Sequence, residues 1–189
     1  MKWISSDKSF ATRLVAFAIV EGIFFSGAFC SIDWMKKRKL GLTGLEDSNN
    51  MISRDESLHT AFAVYLYITY INHKLSESEI EEIIKEAVEI EKEFITESIP
   101  CSLLGMNSAL MKTYIEFIAN RLSVQLGYKK IYPGAVQPFS WMEDRNLQEI
   151  TNFFDKRSQN YKKKVVRDYS QIDRIDDKPK LNFGDDFDF

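Results

Sequence analysis

The sequence is poor in cysteine, proline, glycine and histidine. Its 189 residues include 2 cysteines, 4 prolines, 8 glycines and 2 histidines. Two cysteines, Cys30 and Cys101, are too few for a disulfide framework, so we expect a reducing compartment and place the protein in the cytoplasm. The start of the chain has no signal-peptide pattern, because polar Ser5–Lys8 stands where an apolar core would be needed. Sparse glycine and proline favour a helical protein with few sharp turns.

A strong charge of either sign is also missing. The net charge is -3 at pH 7, which gives no reason to expect nucleic acid or an acidic membrane as a partner. Hydrophobic residues make up 44% of the chain and aromatic residues 13%, as in a soluble globular protein. A chain of 189 residues is one domain's worth and is long enough to bury a core.

The longest apolar run lies between Arg13 and Phe29 and contains one carboxylate, Glu21. Its length without turn signals predicts a buried helix, which we extend to residues 10–37. The run falls short of the ~20 residues that a membrane span needs, and a central charge argues further against insertion. Because a buried, unpaired carboxylate is costly, Glu21 has to be neutralised, paired with a cation or bound to a metal.

A Glu-x-x-His pattern follows at Glu56 and His59. We predict a second helix over residues 49–72, apolar on nearly all sides and therefore inside the fold, on which the two residues share one face. Glu-x-x-His beside a lone Glu on a neighbouring helix is half of a bundle-core di-metal carboxylate site. Carboxylate and imidazole ligands suit non-haem iron or manganese. The alternative is a buried Glu21 paired with a lysine, with Glu56 and His59 as a surface pair.

Two further helices are indicated before the long loop around residue 135. The third helix opens with a capping box at Ser76 and Glu79. The fourth spans about residues 102–126, with Gly127 as its C-cap. The inner side of the third helix is predicted to hold residues at helical spacing, one of them acidic: Ile80, Ile83, Ile84, Ala87, Val88, Glu91 and Phe94.

The end of the sequence changes character. A last helix over about residues 146–165 completes a helical domain that we assign to residues 1–167. Beyond it acidic residues dominate and periodicity disappears, which predicts a disordered tail over residues 168–189. Phe183 and Phe189 stand at the two ends of an acidic stretch in this tail. Such a segment suits folding on binding, with the two rings as anchors in a groove that has basic rims.

Several sequence motifs along the chain are typical of one protein family: Val20–Gly27, Ser31–Arg38, Ser53–His59, Gly105–Asn107, Tyr114–Phe117, Thr151–Arg157 and the C-terminal Phe183 to Phe189. Together they closely resemble the small, radical-generating subunit of class I ribonucleotide reductase, in its eukaryotic and viral form. The resemblance covers essentially the whole sequence, but only the C-terminal part of the family's length.

This resemblance implies the C-terminal part of an all-α, ferritin-like helical bundle, followed by the flexible tail. It also implies a small subunit of ribonucleoside-diphosphate reductase, whose di-iron centre generates and relays a tyrosyl radical for deoxyribonucleotide synthesis. Glu21 and Glu56 would be carboxylate ligands of the two irons, and His59 would ligate one of them through a ring nitrogen. Manganese is the alternative metal.

The resemblance implies roles for residues around the ligands as well. Asp55 would belong to the hydrogen-bonded path that carries the radical between subunits. Phe25, Phe29 and Ile52 match the apolar pocket that the family wraps around its radical-bearing tyrosine. A dry pocket would protect the radical from water and reductants. Ordinary core packing accounts for the three residues equally well.

The tail would connect the small subunit to its large partner subunit. By resemblance, one tail tyrosine passes the radical on, and two candidates remain open. Counting forward from Thr151–Arg157 selects Tyr161, whereas counting back from the C-terminus selects Tyr169. Phe183 and Phe189 would anchor the tail on the large subunit.

The remainder of a di-metal site is absent from this sequence. A complete site needs another carboxylate and a second Glu-x-x-His, but the other histidine, His73, has Tyr70 three residues before it. The family's radical tyrosine belongs to the same absent half. We therefore expect a homodimer or a companion N-terminal half as a further partner.

Three origins remain open for such a protein: a split subunit, a fragment of a longer gene product, or a degenerate copy. As an alternative function, a catalytically incomplete fragment or split half would act only as a module that binds and regulates the large subunit. An unrelated ferritin-like oxidase or iron store would fit the ligands but not the tail.

Overall fold

The computed structural model describes residues 3, 5, 7–98 and 105–142 of the protein. These residues are mainly helical, which confirms the predicted all-α class. The elements in sequence order are α1 (Phe10–Ile19), a π-helical segment (Val20–Phe24), α2 (Ser26–Lys37), α3 (Thr43–Tyr70), α4 (Glu77–Ser98), α5 (Ser108–Gln125) and a short 3-10 turn (Ser140–Met142).

The predicted first helix is divided into α1, the π segment and α2. Ser9 begins α1, because its Oγ accepts the N–H of Thr12 at 3.0 Å. The π segment widens the helix by one residue per turn, so that residues before and after it no longer keep the 3.6-residue register. The predicted bounds of one long helical segment, Phe10–Lys37, are confirmed, and the π segment is an irregularity within it. Its consequence is that spacing from Glu21 does not fix which residues of α2 lie on the same side.

In the described part of the protein, the segment Phe10–Lys37 is long and apolar enough to cross a membrane. The apolar run between Arg13 and Phe29 covers only part of this helical segment, which has 28 residues. Nevertheless, Val15, Ala18 and Ile19 on its inner side are fully buried in the protein's own core. A core helix of a soluble protein has the same composition and burial.

Helix α3 begins earlier than predicted. It starts at Thr43 rather than near residue 49, because Gly44 is accommodated in its first turn and the preceding link ends at Leu42. Within that link, Lys39 and Gly41 have φ values of 55° and 76°. Asn49 then ties α3 to α2, since its Nδ2 donates to the Phe29 carbonyl at 3.3 Å and to Asp33 Oδ1 at 3.1 Å.

The prediction that α3 lies inside the fold was also wrong for the described residues. Only Asn49, Ala63 and Tyr67 of this helix are buried. Its outer side presents large apolar residues to solvent at helical spacing: Met51, Leu58, Phe62 and Tyr65. Helices α1 and α2 pack against the opposite side of α3. We call these four exposed residues the α3 stripe.

Helix α4 is capped as predicted. The Glu79 N–H donates to Ser76 Oγ at 3.3 Å, and the Ser76 N–H donates to Glu79 Oε2 at 2.8 Å. Its inner side is as predicted up to Glu91, but Phe94 is 54% exposed and Ile95 is buried instead. The reason is that the inner side continues from Glu91 by four residues rather than three.

Helix α5 is shorter than predicted at its start. It begins at Ser108, where Asn107 Oδ1 accepts the N–H of Leu110 at 2.9 Å. Its C-cap is as predicted, since Gly127 follows the helix with a φ of 90°, a conformation that favours glycine.

The core lies between α1, the π segment, α4 and α5. Its fully buried members include Val15, Ile23, Ile84, Val88, Ile115 and Ala119. Among the residues that the structure describes, Glu91 is the one acidic side chain that is buried, with 2% of its surface exposed. Burial raises the pKa of Glu91 to about 8, and a hydrogen bond from the Gly27 N–H opposes part of this rise.

The protein divides into two units, Met1–Ile150 and Thr151–Phe189. The second unit, the predicted last helix and the predicted tail lie outside the described residues. The assignment of residues 1–167 and 168–189 to a helical domain and a tail stays a prediction.

A pair of tyrosines closes one end of the bundle, and it yields a stability prediction. Tyr67 Oη accepts the Leu75 N–H at 2.9 Å and lies 2.7 Å from Tyr128 Oη, which donates to the Leu75 carbonyl at 2.7 Å. We expect Tyr67→Phe to lower the free energy of unfolding by about 1–3 kcal/mol, because it leaves the part-buried N–H of Leu75 without its acceptor. Denaturant unfolding measures this. The control Tyr65→Phe, on the exposed side of α3, should change it by less than about 0.5 kcal/mol; equal effects would contradict the prediction.

The raised pKa of Glu91 predicts a pH dependence of stability. The folded protein holds this proton up to about pH 8, whereas an unfolded glutamate releases it near its ordinary value of 4.5. The free energy of unfolding is therefore expected to fall as the pH rises from about 4.5 to about 8. Above that range Glu91 should cause no further change with pH. Denaturant unfolding across this range should show the slope in the unaltered protein and not in Glu91→Gln. Parallel profiles would contradict it.

Candidate metal centre

The π segment brings Glu21 against α3. Gly22 makes this approach possible, because a Cβ at this position would lie 3.1 Å from Thr60 Cγ2. Thr60 in turn donates its hydroxyl to the Glu56 carbonyl at 2.9 Å. A Cβ at position 22 would require the Thr60 side chain, one turn after Glu56, to give way by a few tenths of an ångström.

Helix α3 supplies the other two residues from one turn. His59 Nδ1 lies 3.3 Å from Glu21 Oε2 and 3.1 Å from Glu56 Oε2. One ligand atom from each of the three residues can be chosen so that all lie within 4.8 Å of one another. The structure thus brings together the three residues predicted as metal ligands. We call them the acid–histidine cluster.

Charges within the cluster are interdependent. The pKa of Glu21 is raised, first by burial and then by its hydrogen bond with Glu56, while His59 lowers it. The pKa of Glu56 is lowered, chiefly by the hydrogen bond with Glu21 and also by His59. The pKa of His59 is raised by hydrogen bonds to Glu56 and Glu21. The pKa of each of the three groups therefore depends on the protonation of the other two.

The donor set of the cluster fits a non-haem metal. Two carboxylate oxygens and one imidazole nitrogen are ligands that iron and manganese accept. A cavity of about 250 Å³ adjoins Glu21 and Glu56, and its wall includes Phe29, Tyr114 and Arg121. The cluster therefore lies at the edge of this cavity and is not enclosed by packed side chains on that side. The described residues supply one side of a ligand set, not all of it.

The other predicted site residues are spread around the cluster. Phe29 is half-buried and lines the cavity, whereas Phe25 and Ile52 are 41% and 50% exposed. Asp55 is exposed on α3, directly before Glu56. The roles of all four residues stay predictions. The rings of Phe25 and Phe29 are neighbours, with centroids 6.2 Å apart.

Four further predicted residues, Tyr161, Tyr169, Phe183 and Phe189, lie outside the described residues. Their roles in radical transfer and in docking on the large subunit stay predictions.

Sequence reasoning assigned no role to several residues that shape the site. Tyr114 and Arg121 line the cavity from α5. They are seven residues apart on one helix, and this spacing was the available signal that they share a face. The role of Gly22 had no such signal, because the need for a small residue depends on Thr60 from another helix.

The family comparison accords with this geometry. A family model described as the small chain of ribonucleotide reductase matches residues 1–138. The protein is 54% identical over 166 residues to the ribonucleoside-diphosphate reductase small chain of Nicotiana tabacum, an alignment that covers 88% of this sequence and 50% of the relative. It is 52% identical over 191 residues to the small chain of Neurospora crassa, covering 100% of this sequence and 46% of the relative. The protein spans about half the length of the curated relatives it matches.

Solved structures give the same answer for the fold. The protein is similar to the ribonucleotide reductase Rnr4 homodimer of Saccharomyces cerevisiae, with a TM-score of 0.68 and 40% identity over 78% of this chain and 47% of that one. The R2 subunit of Clostridium botulinum has a TM-score of 0.64 at 24% identity, over 70% of this chain and 44% of that one. The predicted ferritin-like helical fold is thereby confirmed. On the family model and these relatives, the protein belongs to the ribonucleotide reductase small chain family.

Proposed function

We propose that this protein supplies part of the di-iron centre of a class I ribonucleotide reductase small subunit, with manganese as the alternative metal. The observation that carries the proposal is the acid–histidine cluster, built from two separate elements of the fold. Glu21 and Glu56 would bind the metal through carboxylate oxygens and His59 through a ring nitrogen. When bound, iron supplies the oxygen chemistry that oxidises a tyrosine to a radical, which the large subunit uses to reduce ribonucleotides.

The residues of this protein prepare the cluster for a cation. Gly22 permits the π segment to lie close to α3, and the carboxyl groups of Glu21 and Glu56 are hydrogen-bonded to each other. Without a metal, the raised pKa values of Glu21 and His59 favour protons at these two groups, which offset the negative charge. A divalent cation would replace this compensation, and its binding would release the protons. Phe29 lines the adjoining cavity and would help to keep water away from the centre.

The proposal includes a route and partners for the radical. Asp55 adjoins Glu56 and would belong to the transfer path, with Tyr161 or Tyr169 as the next step. The remaining metal ligands, a carboxylate and a second Glu-x-x-His, would come from a companion N-terminal half, with homodimerisation as the further assembly. The large subunit is the partner of the tail, and the cytoplasm is the proposed location.

A second candidate function is a binding module without chemistry. The observation that favours it is that the described residues hold three ligands, whereas a complete di-metal site needs more. Such a protein would dock on the large subunit and modulate it.

Metal binding tests the first candidate. We expect Glu56→Ala to weaken the binding of Mn²⁺ or anaerobic Fe²⁺ at least about 10-fold, because it removes one of three ligands. Isothermal titration of the full-length protein, alone and with the N-terminal half of a relative, measures the affinity. The control is Glu82→Ala, which removes an exposed carboxylate from α4 outside the cluster. Equal affinities for the two variants would count against the metal site.

Binding to the large subunit tests the role of the tail. We expect truncation after Val166, or Phe189→Ala alone, to weaken binding to a ribonucleotide reductase large subunit at least about 10-fold, because an aromatic anchor is lost. Surface plasmon resonance measures the affinity. Phe94→Ala, which removes an exposed ring from α4, is the matched control. Unaltered binding after truncation would exclude the tail from docking. Docking without any metal binding would favour the second candidate.

A further inference from the structure

Glu91 makes a long-range contact at the point where the π segment gives way to α2. Its Oε1 accepts the N–H of Gly27 at 3.3 Å. The two residues are 64 positions apart, on α4 and in the first turn of α2. Both are buried. A buried acid thus meets the backbone of the helix that continues directly from Glu21.

The junction needs partners from outside its own backbone. The first N–H groups of a helix have no acceptor within that helix. Gly27 is the second residue of α2, so its N–H belongs to this group. At the same junction, Ser26 donates its hydroxyl to the Ile23 carbonyl at 2.7 Å. Side chains therefore complete the hydrogen bonding that the change from π-helical to α-helical geometry interrupts.

We propose that Glu91 is a positioning residue that fixes the junction between the π segment and α2 and thereby holds Glu21 in the acid–histidine cluster. The claim that Glu91 holds Glu21 in the cluster rests on the proposed function. The claim that Glu91 fixes the junction does not. Burial raises the pKa of Glu91 to about 8, so its carboxyl is mostly protonated at neutral pH. A neutral side chain with one oxygen acceptor at this position is therefore enough to accept the hydrogen bond from the Gly27 N–H.

The fit between Glu91 and Gly27 is tight. A Cβ on Gly27 would lie 2.9 Å from Glu91 Oε1 and 2.9 Å from Ile95 Cδ1. Real Cβ atoms do not approach other atoms so closely, so the ends of the Glu91 and Ile95 side chains would have to move away from position 27. Glycine at position 27 therefore allows the acid to reach the backbone. Six residues before Gly27, Glu21 depends on the same stretch of backbone for its position.

Two readouts on the full-length protein test the inference. Amide hydrogen exchange followed by NMR reports on the Gly27 N–H, and titration with Mn²⁺ reports on the cluster. Glu91→Ala is expected to speed exchange at Gly27 at least about 10-fold, because the acceptor is lost. It is also expected to weaken Mn²⁺ binding. Glu91→Gln keeps both the packing and a neutral oxygen acceptor and should restore both readouts. Glu91→Met keeps a side chain of similar length without that acceptor and should not restore them, whereas a role in packing alone would predict rescue by both variants.

Control variants distinguish the loss of the contact between Glu91 and Gly27 from a general destabilisation of the protein. Glu93→Ala removes an exposed acid from the same helix and should leave both readouts unchanged. If Glu91→Ala does not fold, Gly27→Ala perturbs the same contact from the other side and should speed exchange at Phe29, whose N–H donates to Phe25 across the junction.

Unchanged exchange at Gly27 in Glu91→Ala would overturn the inference. Faster exchange with unchanged Mn²⁺ affinity would overturn the link to Glu21. An unaltered protein that binds no Mn²⁺, even with the N-terminal half of a relative, would overturn the proposed function instead, and exchange at Gly27 would still decide the role of Glu91 at the junction.

Discussion

Two carboxylates beside one another in a partly buried place require a cation, and this requirement governs the site. Glu21 and Glu56 meet at the contact between the π segment and α3, and their pKa values move in opposite directions. His59 joins them with a raised pKa of its own. Protons balance the charge when no metal is present. The fold therefore places two negatively charged groups side by side. This arrangement is stable only when positive charge is supplied beside them.

The π segment provides the local geometry that this arrangement needs. A regular helix would carry Glu21 past α3 with a different rotation, whereas the wider turn occurs where Glu21 stands. Such a segment lacks the regular hydrogen-bond ladder and needs support from its surroundings. Gly22 permits the approach to α3, and Gly27 permits the approach of Glu91 from α4. Contacts from two helices thus hold a segment of low intrinsic stability beside the cluster.

The sequence predicted the helices that local signals define, and it missed what depends on contacts between helices. Ser76, Glu79 and Gly127 act within a few residues of themselves, so the caps they form could be predicted. The proximity of Glu21, Glu56 and His59 could be predicted because a buried acid beside a Glu-x-x-His pattern is half of a di-metal site and the surrounding sequence resembles the family. Their role as metal ligands stays a prediction. The π segment left no trace in the hydrophobic pattern, because one additional residue in one turn is too small a change of period to detect. The exposure of Phe94 depends in the same way on how α4 is rotated against its neighbours.

Helix α3 carries both an exposed metal-ligand candidate and an exposed apolar surface. His59 is exposed, and the α3 stripe of Met51, Leu58, Phe62 and Tyr65 lies on the same helix. An exposed apolar stripe at helical spacing normally packs against another helix. The protein spans about half the length of its relatives, so helices of the other half are available in the family to cover it. A partner that placed two such helices on α3 would bury the stripe and bring further ligands to the cluster in one step. Metal binding and assembly would then stabilise each other, because the metal would replace the protons of the cluster while the partner's helices bury the apolar stripe.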